Sequence, residues 1–149
     1  MSTIAIMPAG PEHLDGWAAL RHALWDELSQ GDHRAEAAEQ LAEPERLLNL
    51  VALDGDAVVG FAEGALRHDY VNGCETSPVV FLEGIFVHEA ARGAGLARRL
   101  CDAVAEWGRA RGCREFASDA LADDLESHAF HCAAGFAETE RVVYFRREI

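Results

Sequence analysis

The chain has 149 residues and a mass of 16.2 kDa, a length suited to one domain over residues 1–149. Half of it is hydrophobic and 26% is charged, which is ordinary globular composition and excludes a disordered chain. Thirteen basic against 26 acidic side chains give a formal net charge of −13, which argues against nucleic-acid binding, keeps a small protein in solution and suits a polycationic partner.

The N-terminal run Met1–Pro8 lacks the basic start and long apolar stretch of a signal peptide, and no apolar run approaches a membrane span. The expected location is the cytoplasm. Cys74, Cys101, Cys113 and Cys132 show no CxxC spacing and read as free, buried thiols of a reducing compartment. The histidines His13, His22, His33, His68, His88 and His128 have no metal-ligand spacing, so no metal is expected.

Thr3–Met7 reads as a short strand. Pro11 opens a helix to about Leu28, with Leu14, Trp17, Leu20, Leu24 and Leu28 at helical spacing. The acid-rich stretch 26–45 is a second, polar helix or a flexible lid ending at Pro44, and its acids either flank a cleft or form a solvated face. Leu47–Leu53 is a buried strand, Asp54-Gly55-Asp56 a hairpin turn and Ala57–Arg67 the returning strand, with a bulge or close approach at Gly60 and Gly64. His68–Ser77 is a loop and Pro78–Val87 an apolar strand interrupted by Glu83-Gly84. A helix stripe of Leu96, Leu100, Val104 and Trp107 follows, closed by Gly112. Glu115–Ser118 is a strand, Asp123–Ala134 a helix and Phe136–Arg147 one or two final strands. The pattern predicts a mixed α/β sheet with helices on both faces.

The chemistry concentrates between Phe81 and Ala97. Ala90-Ala91-Arg92-Gly93-Ala94-Gly95 joins a buried strand to a helix. Unpaired N–H groups and the positive dipole end of a helix start make an anion cradle, glycines let the backbone approach closely, and Arg92 adds a charge-assisted contact. A tight strand-to-helix connection needs glycines anyway. The chain has neither the P-loop motif nor a GxGxxG fingerprint. Glu83 inside an apolar strand is costly unless it faces a cleft. Gly84 beside it suggests a bulge that splays the strand from its neighbour and frees its N–H and C=O groups. An extended amide ligand such as the pantetheine arm of coenzyme A would pair there, with its pyrophosphate at the turn beyond.

Arg92-Gly93-Ala94-Gly95-Leu96-Ala97 resembles the R/Q-x-x-G-x-G/A signature of the GCN5-related N-acetyltransferases (GNAT), and the element order is similar to that fold over the whole chain. Arg67–Cys74, Ser77–Val87, Gly112–Glu115, Ala117–Asp119 and Gly135–Val142 resemble the aminoglycoside 6'-N-acetyltransferases of that family. The resemblance implies the GNAT fold, a central, mostly antiparallel sheet splayed at the fourth strand. It also implies acetyl transfer from acetyl-CoA to the 6' amine of an aminoglycoside antibiotic by direct attack in a ternary complex. Pyrophosphate contacts would come from the backbone of Arg92, Gly93, Ala94, Gly95, Leu96 and Ala97, and pantetheine pairing from Ile85, Phe86 and Val87. An N–H near Phe86 or Val87 would polarise the thioester carbonyl.

Glu83 occupies the position of the family's carboxylate near the acceptor amine. Three roles stay open for it: a base acting through water, an anchor for the ammonium, or a structural acid at the bulge. Asp119, Tyr70 and Trp25 are the further acceptor-binding candidates. Trp25 either stacks on a sugar ring or covers an ammonium, or packs in the core, and Tyr70 is a site residue or a plain turn residue. Many relatives carry Tyr in F-Y-x-x-x-G-F to protonate the leaving thiolate. Here Phe130-His131-Cys132-Ala133-Ala134-Gly135-Phe136 puts His131 in that place, as proton donor or packing residue. Asp124 stands where many relatives have Asn, which puts one pantetheine contact in doubt. The resemblance implies a homodimer, often through the C-terminal strands, where Val142-Val143-Tyr144-Phe145 supplies an edge or a core strand. Another amine acceptor (a polyamine or a protein N-terminus) and a non-catalytic coenzyme A-binding module are the alternatives.

Overall fold

Alternating apolar runs and one two-residue turn lay out the sheet. In the computed structural model, which describes residues 3–149, strands β1 (Ile4–Pro8), β2 (Leu47–Asp54), β3 (Ala57–Arg67), β4 (Val79–Val87) and β5 (Phe116–Ala117) lie in the order β1-β2-β3-β4-β5. Met1 and Ser2, the first two residues of the run read as no signal peptide, lie outside the described residues. The first four strands pair antiparallel and β5 pairs parallel to β4. Gly55, at φ 62°, makes the tight turn that pairs Asp54 with Ala57.

Strand β2 alternates poorly because both of its faces are covered. Leu50 and Ala52 pack with Leu96, Leu100 and Val104 of α3 (Leu96–Ala110). Val51 and Leu53 pack with Leu14, Trp17 and Leu20 of α1 (Leu14–Leu24) and Ala37 of α2 (Gln30–Gln40). Such two-sided burial gives a continuous apolar run rather than alternation. Helix α4 (Leu125–Ala133) follows β5, with Phe130 packed against the α3-side core.

Several expectations are corrected. The first helix ends at Leu24, after a 3-10 turn at Pro11–His13. Trp25 turns extended (φ −125°, ψ 96°), and its freed carbonyl accepts from His33 Nε2 at 2.7 Å, which leaves Leu28 exposed. The stretch 26–45 is helical only over Gln30–Gln40 and is capped by Ser29, whose hydroxyl accepts from the Asp32 N–H. No strand forms in 136–147. Residues 137–149 are exposed throughout and pair with no strand among the described residues. Of the cysteines, Cys101 and Cys113 are buried, Cys74 is half-buried and Cys132 is exposed on α4. Burial is the main cause pushing the Cys101 thiol up to about 11. Among the described residues no helix is long and apolar enough to cross a membrane.

Helix α3 approaches the sheet closely because Gly108 has no side chain. A Cβ there would lie 2.6 Å from Cβ of the buried Val80, and one on Gly64 would lie 2.9 Å from Val104 Cγ1. Gly108→Ala gains about 1 kcal/mol of helix propensity but overpacks a rigid contact, at a cost of about 1–3 kcal/mol. Because the obstructing atoms belong to a fixed β-branched side chain, the expected result is a net loss of stability in urea unfolding at constant m-value.

Candidate active site

Strand β4 holds β3 along its whole length but holds β5 only through Val80–Phe116 and Phe81–Ala117. Beyond Phe81 the two strands diverge, and the β5-facing main chain of Ile85 and Val87 has no strand partner, while Phe86 pairs with Phe61 of β3. The register along β3 also slips here. Glu63 pairs with Gly84 and Gly64 with Leu82, so Glu83 is the extra residue of a bulge. The bulge expected around Gly64 is therefore present, with the extra residue on β4 rather than β3. Bulging carries Glu83 out to solvent between the buried Leu82 and half-buried Gly84.

Past the fork, a 3-10 turn at Glu89–Ala91 leads into α3. Gly93 (φ 90°) and Gly95 (φ 74°) adopt the left-handed region, and no atom lies within 4 Å of where either Cβ would stand. Gly95 is the N-cap of α3, so no side chain caps the first-turn amides, and that turn carries no acid. Arg98 and Arg99 stand there instead. In a chain of net charge −13 this end is locally positive and its amides are open to an anion. Arg92 braces the turn: its Nε donates to the Val87 carbonyl at 2.8 Å, and its guanidinium lies 5.4 Å from the Phe86 ring.

The surface around Glu83 is acidic. Glu83, Glu36, Glu39 and Glu43 line a hollow of about 340 Å³ together with Arg46 and Ala65. Three of the acids of 26–45 thus share a hollow with Glu83. Tyr70, 74% exposed, lines an adjoining hollow of about 570 Å³ with Arg46, Arg67, His68 and Asp69. Glu83 Oε1 accepts from Arg67 Nε (3.2 Å) and Nη2 (2.8 Å). Trp25 is half-buried and lies under the bulge: a Cβ on Gly84 would stand 2.5 Å from its Cζ2. Its ring packs 6.0 Å from Phe61 and stacks on His33, as the packing reading of Trp25 has it. Asp119 is exposed just beyond β5.

A buried polar network holds this wall. Arg21 Nη1 donates to both Glu63 oxygens (2.6 and 2.5 Å), its Nη2 to Glu36 Oε2 (3.0 Å) and its Nε to His33 Nδ1 (3.3 Å). Trp17 Nε1 also donates to Glu63 (3.0 Å). Burial pushes the Glu63 carboxyl up, and the Arg21 charge and hydrogen bonds pull it back. Sequence reasoning missed Glu63, Arg21 and Arg67. The signal that singled out Glu83, an acid inside an apolar strand, applies equally to Glu63 in Ala57–Arg67. Glu115 was placed only as a strand residue. It accepts from the N–H groups of Glu75 (2.9 Å) and Thr76 (2.7 Å) and from the Thr76 hydroxyl, which holds its carboxyl below the usual range and ties the 74–76 loop to β5.

His131, half-buried on α4, lies beside the fork. Its Nδ1 is 2.7 Å from the Ser127 carbonyl, an acceptor, so in the neutral ring Nδ1 carries the proton and Nε2 accepts from the Ser118 hydroxyl at 2.7 Å. Ser118 is the first residue past the point where β5 leaves β4. Asp124 caps α4, accepting from the Ser127 N–H at 3.1 Å. Among the described residues no group of three or more His, Cys, Asp or Glu could hold a metal ion.

The forked sheet, the glycine turn and the uncapped helix start together define an acyl-coenzyme A-dependent transferase architecture. Residues 17–136 match the acetyltransferase (GNAT) family, and the chain belongs to that family. It is 54% identical over 139 residues to an aminoglycoside N(6')-acetyltransferase type 1 of Serratia marcescens, covering 93% of this chain and 94% of that one. The solved aminoglycoside N-acetyltransferase AAC(6')-Iy in complex with CoA is 42% identical, with a TM-score of 0.94, covering 100% of this chain and 97% of that one. The same enzyme with the bisubstrate analog CoA-S-monomethyl-acetylneamine is 42% identical with a TM-score of 0.92, covering 99% and 100% of the two chains.

Because Gly93 needs a positive φ, an alanine there is strained by about 1–2 kcal/mol. Gly93→Ala is expected to weaken coenzyme A binding, read by calorimetry, by roughly five- to thirtyfold. An unchanged Kd would separate the turn from cofactor binding.

Proposed function

We propose that residues 1–149 act as a single acetyltransferase domain that moves an acetyl group from acetyl-CoA to the 6' amine of an aminoglycoside antibiotic, an activity that confers resistance. The observation that carries this is the meeting of a forked β4 with a hollow bearing four carboxylates, Glu36, Glu39, Glu43 and Glu83. The identity to aminoglycoside N(6')-acetyltransferases over almost the whole chain supports the acceptor class.

The residues fit coenzyme A. The space beside Gly93 and Gly95 is open at the positively polarised start of α3, where Arg92–Ala97 would hold the pyrophosphate, and β4 over Ile85, Phe86 and Val87 has no strand partner on its β5 side. Acetyl-CoA supplies an activated thioester. The acceptor amine forms the new N–C bond as the C–S bond breaks, and an N–H near Phe86 or Val87 stabilises the carbonyl oxygen as charge grows on it. Glu83 acts as anchor for the ammonium: its carboxylate already accepts two hydrogen bonds from a cation, the interaction an ammonium would take over. The amine's proton leaves to water in the open cleft. When the ring has taken a second proton from water at Nε2, His131 passes it to the Ser118 hydroxyl 2.7 Å away, and that hydroxyl gives its own proton to the thiolate, leaving the neutral ring. Trp25, Tyr70 and Asp119 contact the sugar rings and their ammonium groups.

The acidic balance favours a polycationic acceptor over nucleic acid, and the absence of a long apolar helix among the described residues agrees with a cytoplasmic enzyme. The exposed Val142, Val143, Tyr144 and Phe145 support a homodimer, since apolar side chains in a segment with no strand partner among the described residues suit pairing with a second copy.

Kanamycin is expected to be acetylated, and a derivative whose 6' amine is replaced by hydroxyl is expected not to be, in an assay of thiol release. Equal turnover of both would overturn the regiochemistry, and no turnover of either would overturn the acceptor class.

A further inference from the structure

Glu83 is not a free carboxylate. Arg67, at the end of β3, reaches across to β4 and donates Nε and Nη2 to Glu83 Oε1 at 3.2 and 2.8 Å. Its guanidinium also lies 3.6 Å from the centroid of Phe81, two residues before Glu83 on β4. The pair is 41% and 37% exposed and stands between the two hollows, Glu83 lining the smaller and Arg67 the larger. The chain's own cation therefore occupies the position a substrate ammonium needs.

We propose that Arg67 is a specificity-determining counter-ion, which a polycationic amine must displace from Glu83 in order to bind. The inference rests on the acceptor class proposed above. An ammonium brings one positive charge and three N–H donors, enough to replace both hydrogen bonds. The displaced guanidinium keeps its stacking on Phe81, and Asp69 in the larger hollow is an alternative anion. The exchange keeps Glu83 paired with a cation in both states. It also charges every acceptor the same fee, which a polycation recovers on Glu36, Glu39 and Glu43 and a monoamine recovers less well.

The test is calorimetric titration of kanamycin into the coenzyme A-bound protein, for wild type, Arg67→Gln, Glu83→Gln and the double variant. An exposed ion pair of this kind is worth a small factor, so Arg67→Gln is expected to tighten kanamycin binding about two- to fivefold. In the Glu83→Gln background the same change should have no effect. Arg46→Gln removes another cation of the same hollow, one paired with Glu43, and tightening that matches that of Arg67→Gln would reduce the effect to general charge and overturn the proposal. Weaker or unchanged binding by Arg67→Gln, while wild type still acetylates kanamycin, would overturn the counter-ion role alone. Absence of kanamycin binding in every form would overturn both it and the proposed acceptor. Arg67→Lys, which keeps the charge but not the two-donor fork, should fall between wild type and Arg67→Gln.

Discussion

The whole site depends on one break in a ladder. Strand β4 stays hydrogen-bonded to β3 throughout, yet it shares only two residue pairs with β5 before the strands part. On the β3 side, the bulge at Glu83 turns an acid out of an otherwise buried strand. On the β5 side, parting exposes main-chain groups that water must satisfy until a ligand does. A strand paired on both edges would have neither an acid in the cleft nor an edge to offer, and the glycine turn beyond it would be only a connection.

The scaffold around the break is made stiff at some cost. Arg21 and Glu63 are 4% exposed each, and burying such a pair is weakly favourable at best unless its remaining donors and acceptors are met. Here they are met by Trp17, His33, Gln40 and Glu36. The network ties α1, α2 and β3 into one wall, and His33 extends it to the carbonyl of Trp25 beneath the bulge. Of the acids in the hollow, Glu36 is held by this network, through Arg21 Nη2.

Much of this was legible in the residues. The strand–glycine-turn–helix unit, the bulge at Glu83-Gly84 and the stripe of α3 follow from periodicity and from an acid placed where burial is costly. What was not legible depends on partners distant in sequence. Arg21 and Glu63 are 42 residues apart, and Arg67 and Glu83 are 16 apart. Nothing local to Trp25 says that its carbonyl will be taken by His33 and the helix stopped. The final strands failed for a related reason. Val142–Phe145 has strand character, but a strand is a relation between two segments, and no segment among the described residues pairs with it.

The account's central claim is that the unpaired edge of β4 and the start of α3 grip acetyl-CoA through the main chain. Amide hydrogen exchange of the protein with and without saturating acetyl-CoA reads those groups directly. Exchange should slow at Ile85 and Val87 and across Gly93–Ala97 while the β2 amides, held between β1 and β3, change little. Unaltered exchange in both segments, under conditions where the thioester is bound, would contradict it.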